Sequence, residues 1–222
     1  MKIIPSILEK DTTSLFYQIN KLAPYFSRFQ IDITDGIFVP NKTVQIEDIS
    51  EFIEGSAKTD PYKNLSFDFH LMVKDYETEI KKLEKLKRFI KINLILIHIS
   101  VTINYQLSTI NFSSIPIGLT LNPQDQVDDL ARQYRLKQIP SIQIMSVIPG
   151  LQGNPFIPET LKKIEQLRLL GYRSNIFLDG AVNKKTVPMI LSRKYQPDFV
   201  CPGSYLTKAK NLIENVEYLK KL

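Results

Sequence analysis

Ionisable side chains stand inside short apolar runs of this sequence, where burial carries a free-energy cost. Asp32, His70 and Asp179 each lie within or at the end of such a run. Charged groups that leave water lose their hydration unless they are paired or bound to a metal ion. Two carboxylates and one imidazole suit a divalent cation such as Zn²⁺, Mn²⁺ or Fe²⁺. These three residues are therefore the first candidates for a functional site.

The elements that would position these residues follow a regular alternation. Short runs rich in Ile, Val, Leu and Phe are followed by longer stretches with apolar residues at helical spacing. Most runs lack polar alternation, which is typical of strands covered on both faces. The helical patterns include Lys184–Ser192, and the weakest of them is Ile103–Ile110. The predicted strands are Ile3–Ser6, Arg28–Ile33, Leu65–Leu71, Leu94–His98, Ile115–Leu121, Ile142–Val147, Asn175–Asp179 and Asp198–Cys201.

Strict strand–helix alternation predicts an α/β protein with a parallel sheet. The 222 residues leave about 28 per unit, close to the roughly 30 of a βαβ repeat. Eight such units predict a (β/α)₈ barrel, formed as a single domain by residues 1–222. The alternative is an open doubly wound sheet, which normally carries a glycine-rich loop after its first strand. Residues 6–10 follow that strand here and contain no glycine.

A barrel carries its functional residues at the carboxyl ends of the strands. Gln30 and Asp32 are two residues apart, so their side chains share one face of the second strand. Glycines follow the last three strands, where exposed backbone N–H groups commonly hold a phosphate. The predicted phosphate site comprises Gly180, Gly203 and Ser204, to which Gly150 and Gly153 could add donors.

Composition narrows the class of protein. The net charge is +6, but the densest basic run, 81–91, has Leu83, Leu86 and Ile90 at helical spacing. Its lysines therefore form the solvent face of a helix, and we expect no nucleic-acid partner. No segment approaches the roughly 18 apolar residues of a membrane span, and no secretory signal is evident. A single cysteine, Cys201, excludes an internal disulfide framework. We expect a soluble, cytoplasmic protein with no membrane partner.

Seven stretches occur in the order and at the spacing of one enzyme family. The sequence resembles the ribulose-phosphate 3-epimerase family over nearly its full length, and we identify it as a divergent member. The resemblance implies a (β/α)₈ barrel that converts D-ribulose 5-phosphate to D-xylulose 5-phosphate. It also implies a homo-oligomer. The matching stretches are Pro5–Leu8, Asp32–Asn41, Phe67–Val73, Met145–Gly150, Phe156–Pro158, Asp179–Gly180 and Gly203–Ser204.

Family members hold one divalent cation (Zn, Fe, Mn or Co) with two histidines and two aspartates. Asp32, His70 and Asp179 retain three of these ligands, while Gln30 stands where the family has a second histidine. Inverting a carbon beside a carbonyl requires removing a proton and returning one to the opposite face, and we assign these acid–base roles to Asp32 and Asp179. The substrate contacts that the resemblance implies are Ser6, His70, Met72, Met145, Gly150, Gly153, Gly180, Ala181, Gly203 and Ser204.

The departures from the family pattern fall on the site. Besides Gln30, Thr34 replaces a methionine, Ala181 replaces the second glycine of a pair, and residues 151–152 differ in a glycine-rich loop. Three interpretations stay open: an enzyme with a weaker or altered metal preference, an epimerase of a related hexulose phosphate, and a catalytically impaired barrel that binds phosphosugars. Decarboxylation is disfavoured because the Asp-x-Lys-x-x-Asp motif of related barrels is absent.

Two further polar residues lie on the predicted strands. Asp68 precedes His70 by two residues, which would place it on the same face and allow it to support the site. His98 ends the fourth strand, where it either lines the pocket or is buried without a role. Cys201 is predicted to be a small buried residue of the last strand.

Overall fold

The structure is a computed structural model that describes residues 1–55, 62–102 and 113–222. These residues form nine β-strands and eight α-helices. The strands are β1 (Lys2–Ile3), β2 (Ser6–Ile7), β3 (Arg28–Thr34), β4 (Ser66–Met72), β5 (Lys91–His98), β6 (Ile117–Leu121), β7 (Ser141–Met145), β8 (Asn175–Asp179) and β9 (Phe199–Cys201). The helices are α1 (Thr12–Leu22), α2 (Ile46–Gly55), α3 (Tyr76–Leu86), α4 (Val127–Gln133), α5 (Lys162–Leu169), α6 (Val187–Leu191), α7 (Ser204–Thr207) and α8 (Leu212–Leu219).

The described strands form one parallel sheet whose two ends meet at the amino terminus of the chain. Its order is β1-β9-β8-β7-β6-β5-β4-β3-β2, and β1 and β2 are separated only by Ile4 and Pro5. The N–H of Ile4 donates to the carbonyl of Val200 at 3.0 Å, and the N–H of Gln30 donates to that of Pro5 at 2.9 Å. One amino-terminal segment therefore closes the sheet, and the predicted (β/α)₈ barrel is confirmed.

The first strand differs from the prediction. The run predicted as a single strand, Ile3–Ser6, is divided into β1 and β2, because Pro5 has no N–H to donate and the pairing partner changes at this point. The helix predicted over 184–192 is also shorter, since α6 begins only at Val187 after a turn in which the N–H of Asn183 donates to Thr186 Oγ1. The weak helical prediction at 103–110 lies outside the described residues.

The main apolar core lies between the sheet and the surrounding helices. The lysine-rich helix α3 buries Tyr76, Ile80, Leu83 and Leu86 and leaves most of its charged residues toward solvent, as its periodicity predicted. A smaller apolar cluster fills the barrel interior; its members are Ile4, Leu94, Leu96, Phe177, Phe199 and Cys201. The two clusters therefore pack against both faces of the strands that carry the site.

Asp68 belongs to the amino-terminal end of the barrel. The guanidinium of Arg28 donates to both oxygens of the Asp68 carboxylate at 3.0–3.1 Å. Burial raises the pKa of Asp68 to about 6, although the charge of Arg28 opposes the shift. The Arg28 Cζ also lies 5.3 Å from the centroid of the Phe199 ring. The expectation that Asp68 would support the site is therefore wrong, because its carboxylate is committed to Arg28.

Within the three described segments, no helix combines the length and the apolar character needed to cross a lipid bilayer.

Candidate active site

Asp32, His70 and Asp179 meet at the carboxyl ends of β3, β4 and β8. Asp32 is directly opposite His70 in the β3–β4 register, while Asp179 reaches them from across the barrel mouth. Each residue offers one ligand atom, and these atoms lie within 4.8 Å of one another. All three side chains are buried. The sequence prediction that they converge is confirmed.

The Asp32 carboxylate accepts hydrogen bonds on both oxygens. Ser6 Oγ donates to Oδ2 at 2.8 Å, and Gln30 Nε2 donates to Oδ1 at 3.0 Å. His70 Nδ1 lies 3.1 Å from the same Oδ1. Ser6 begins β2, which pairs with β3, so the closure of the barrel brings it beside Asp32. These contacts fix the rotamer of the carboxylate before any ligand arrives.

The Asp179 carboxylate is held by two glutamine amides. Gln30 Nε2 donates to Asp179 Oδ2 at 2.8 Å, and Gln143 Nε2 donates to the same oxygen at 3.2 Å. His70 Nδ1 is 3.6 Å away. Burial, followed by the nearby negative charge of Asp32, raises the pKa of Asp179 to about 7, although His70 and Gln30 act in the opposite direction. Asp179 therefore holds a proton at pH values where an ordinary aspartate is ionised.

Gln30 bridges the two carboxylates. Its fully buried amide nitrogen contacts both Asp32 and Asp179, while its oxygen lies 3.5 Å from Cys201 Sγ. Burial and the surrounding carboxylates raise the pKa of the Cys201 thiol, so the sulfur keeps its proton and donates weakly to the amide oxygen. Cys201 is buried and free, as predicted.

The chemistry of the donor set fits a divalent cation. Two carboxylate oxygens and one imidazole nitrogen, all buried and within 4.8 Å of one another, match the borderline and hard ligands that Zn²⁺, Mn²⁺ and Fe²⁺ prefer. Gln30 would join them only if its amide rotated to present Oε1 in place of Nε2. Asp32, His70 and Asp179 are therefore the residues that would hold the metal.

His98 packs directly behind His70. The two Nε2 atoms are 2.9 Å apart, the rings stack with their centroids at 5.0 Å, and the Phe38 ring covers His98 at 4.8 Å. Burial and the neighbouring His70 lower the pKa of His98, so its ring is neutral at physiological pH. The sequence left open whether His98 lines the pocket or is buried, and the structure shows that it is buried.

A cavity of about 480 Å³ opens above the two aspartates. His70 and Gln30 lie behind it, fully buried, and do not form its wall. The loops after β7, β8 and β9 supply most of the wall. The predicted site residues that line the cavity are Ser6, Asp32, Met72, Met145, Gly150, Gly153, Asp179, Gly180, Ala181, Gly203 and Ser204.

Backbone conformation explains two of the glycines in the wall. Gly180 has φ +115°, and a Cβ there would lie 2.6 Å from Val147 Cγ2; Gly150 has φ +104°, and a Cβ would lie 2.7 Å from Val39 Cβ. Both positions therefore require glycine. Ala181, in place of the second glycine of the family pair, itself has φ +50°, a conformation that side chains rarely adopt.

Sequence reasoning missed three residues around the site. Gln143 was read as part of an apolar strand, yet its side chain reaches Asp179 across one strand boundary. Lys184 and Lys185 were assigned to a helix, but both line the cavity beside Ala181. The sequence alone could have indicated that the two lysines line the site, because these adjacent cations directly follow the predicted phosphate loop.

Comparisons with known proteins agree with this arrangement. The sequence model of the ribulose-phosphate 3-epimerase family matches residues 2–206. The ribulose-phosphate 3-epimerase of Methanocaldococcus jannaschii is 30% identical over 195 residues, which cover 85% of this chain and 77% of the relative. That of Helicobacter pylori strain J99 is 26% identical over 231 residues, which cover 100% of this chain and 98% of the relative.

Solved structures resemble the chain in fold. A tryptophan synthase complex from Pyrococcus furiosus superimposes with a TM-score of 0.62 at 13% identity, covering 100% of this chain and 98% of that one. The tryptophan synthase subunit alpha of Campylobacter jejuni gives 0.53 at 12% identity, with 97% and 94% coverage. These likenesses support the barrel alone. Because the family match spans nearly all of the barrel, the chain belongs to the ribulose-phosphate 3-epimerase family.

Proposed function

We propose that this chain is a metal-dependent epimerase that interconverts D-ribulose 5-phosphate and D-xylulose 5-phosphate. The observation that carries the proposal is the pair of buried carboxylates, Asp32 and Asp179, that reach a common centre from β3 and β8. A reaction that inverts one carbon needs a proton acceptor and a proton donor on opposite faces of that carbon. Two aspartates on separate strands, beneath one cavity, meet this requirement.

The side chains divide the proton transfers between them. In one direction Asp32 removes the C3 proton and Asp179 delivers a proton to the opposite face, and in the reverse direction the roles exchange. The amides of Gln30 and Gln143 hold Asp179 in place, while Ser6 and His70 hold Asp32. A bound divalent cation supplies positive charge against the negative charge that develops on the substrate oxygens.

The wall of the cavity supports a phosphorylated substrate. The loops after β7, β8 and β9 contribute Gly150, Gly180 and Gly203, and Lys184 and Lys185 add positive charge at the same wall. Backbone N–H groups and cations together favour a phosphate dianion. Met72 and Met145 form part of the cavity wall near the aspartates and would cover the apolar face of the sugar.

An isotope-exchange assay tests the proposal. The purified chain is stripped of metal, reloaded separately with Zn²⁺, Mn²⁺, Fe²⁺ or Co²⁺, and incubated with D-ribulose 5-phosphate in D₂O. We expect deuterium at C3 together with conversion to the xylulose isomer. Asp32→Asn and Asp179→Asn should each lower the rate by roughly 100-fold or more, whereas Glu217→Gln, on the exposed face of α8, should not. Full activity in either aspartate variant would contradict the acid–base assignment.

The substitution at Gln30 favours a second candidate, a barrel that binds phosphosugars without converting them. An amide binds Zn²⁺ less well than an imidazole, so the cation and the activity could both be weak. Calorimetric binding of D-ribulose 5-phosphate with no exchange under any of the four metals would support this candidate. Conversion of a hexulose 6-phosphate in place of the pentulose phosphate would identify a related epimerase.

We also propose that the chain assembles into a homo-oligomer, as the family resemblance implies. Sedimentation velocity of the purified protein measures its mass directly, and a species at the monomer mass of 25.6 kDa would contradict the proposal.

A further inference from the structure

The two histidines of this chain form a hydrogen-bonded pair that the proton transfers do not use. His70 lies near the carboxyl end of β4 and His98 ends β5, and both rings are fully buried. Their Nε2 atoms are 2.9 Å apart. A hydrogen bond between two ring nitrogens requires that one of them carries a proton and that the other does not.

Metal binding at Asp32, His70 and Asp179 determines which nitrogen carries that proton. His70 Nδ1 lies 3.1 Å from Asp32 Oδ1 and 3.6 Å from Asp179 Oδ2, so it is the ring atom that faces the other two ligands. An imidazole nitrogen binds a metal through its lone pair and must be unprotonated to do so. The single proton of a neutral His70 is then on Nε2, and His98 Nε2 must accept it.

The remaining atoms around His98 suit this arrangement. If His98 Nε2 accepts, the proton of its own ring is on Nδ1. Among the described residues, His98 Nδ1 and Asn122 Oδ1 are both buried atoms without a hydrogen bond of normal geometry, and the Asn122 side chain interacts with the His98 imidazole. A small movement of Asn122, just beyond the end of β6, would let its carbonyl oxygen accept from His98 Nδ1–H.

We propose that His98 is a positioning residue for the metal ligand His70. It accepts a hydrogen bond from His70 Nε2–H and so keeps the lone pair of His70 Nδ1 directed at Asp32 and Asp179. Asn122 supports His98 from the opposite side of its ring. The inference rests on the proposed function, because it concerns a cation held by these three residues. Loss of a partner that orients a metal-binding histidine typically weakens metal affinity by about 10- to 100-fold.

Nitrogen NMR tests the proton positions in the intact chain. Because the chain has two histidines, a ¹⁵N-labelled, Zn²⁺-loaded sample has four imidazole nitrogens to assign. We expect the protonated nitrogens to be His70 Nε2 and His98 Nδ1, with a scalar coupling between the two Nε2 atoms across their hydrogen bond. A proton on His98 Nε2 in the Zn²⁺-loaded protein would overturn the proposal, whatever the variants below show.

Substitutions test the consequence for affinity. His98→Leu removes the acceptor and should raise the Zn²⁺ dissociation constant by about 10- to 100-fold. Competition with a chromophoric chelator measures this constant. His98→Gln places an amide oxygen near the original Nε2 position and should restore most of the affinity. Thr120→Val is the matched control, because Thr120 is opposite His98 on β6 and is buried, and its hydroxyl has no hydrogen-bond partner among the described residues.

The outcomes separate this inference from the proposed function. If the wild-type chain does not bind Zn²⁺, the metal site itself fails and the role of His98 fails with it. If the wild type binds Zn²⁺ and His98→Leu binds equally tightly, the positioning role fails while the metal site stands. Weakened binding in His98→Leu without rescue by His98→Gln would indicate a packing role and would also overturn the proposal.

Discussion

Replacing Asp179 by Asn should change how the stability of the metal-stripped protein depends on pH. The pKa of Asp179 is raised from 3.8 to about 7, mainly by burial and then by the charge of Asp32. The folded state therefore binds this proton more tightly than the unfolded state does. Where the folded state binds more protons, the free energy of unfolding falls as the pH rises. The contribution is complete below about pH 3.8 and is lost progressively as the pH rises from there to about 7.

The magnitude follows from the two pKa values. One pKa unit corresponds to about 1.4 kcal/mol. From pH 5 to about pH 7 the folded state keeps a proton that the unfolded state has largely lost, and above about pH 7 the folded state releases it as well. The wild-type free energy of unfolding should therefore fall by about 2.5 kcal/mol between pH 5 and pH 8 because of Asp179. Asp179→Asn cannot release the proton and lacks this contribution.

Urea denaturation in the presence of a chelator measures the effect. The unfolding free energies of wild type and Asp179→Asn are compared at pH 5 and pH 8, and only the change in their difference is interpreted, so that the other titrating groups cancel. Glu217→Gln, on the exposed face of α8, is the matched control. Its unfolding free energy should change between pH 5 and pH 8 by the same amount as that of the wild type. If the unfolding free energies of wild type and Asp179→Asn also change by the same amount between the two pH values, the raised pKa of Asp179 is refuted.

Three further predictions concern single residues. Gln30→His should tighten Zn²⁺ binding because an imidazole replaces an amide at the mouth of the barrel; an unchanged dissociation constant in a chelator competition would contradict this. Gly180→Ala should lower the unfolding free energy by about 1–3 kcal/mol more than Gly171→Ala, since both have positive φ but only the Cβ at 180 would meet a neighbour, Val147. Lys185→Ala should raise the KM for the sugar phosphate and leave kcat nearly unchanged, because Lys185 lines the cavity but no step of the proton transfers uses it. Lys137→Ala, on the exposed surface, is the control and should leave KM unchanged.

Local periodicity was sufficient to predict the barrel and the positions of its three metal-ligand candidates. Apolar runs and helical spacing identified the strands, and the two-residue spacing of Gln30 and Asp32 placed both on one face of β3. Alternation of strand and helix then required a parallel sheet whose carboxyl ends meet, which brings Asp32, His70 and Asp179 together. These inferences hold because the period of a strand or a helix depends on residues only a few positions apart.

The partners of the buried polar groups could not be obtained in the same way. Asp68 lies two residues before His70 and on the same face of β4, yet it binds Arg28. The neighbouring strand presents a guanidinium at that level of the barrel. Gln143 lies in a strand that the sequence indicated only as core, and it reaches Asp179 through the β7–β8 register. Such contacts depend on register and on side-chain length, which no local pattern specifies.

The amino-acid sequence alone determined the class of fold, the family resemblance and the identity of the three metal-ligand candidates. Tertiary structure decided how those candidates are held: Gln30 turns its amide nitrogen to both carboxylates, burial raises the pKa of Asp179, and His98 meets His70. The physical reason is that hydrogen bonding and desolvation depend on distances between residues far apart in the chain. Those distances exist only once the barrel has closed.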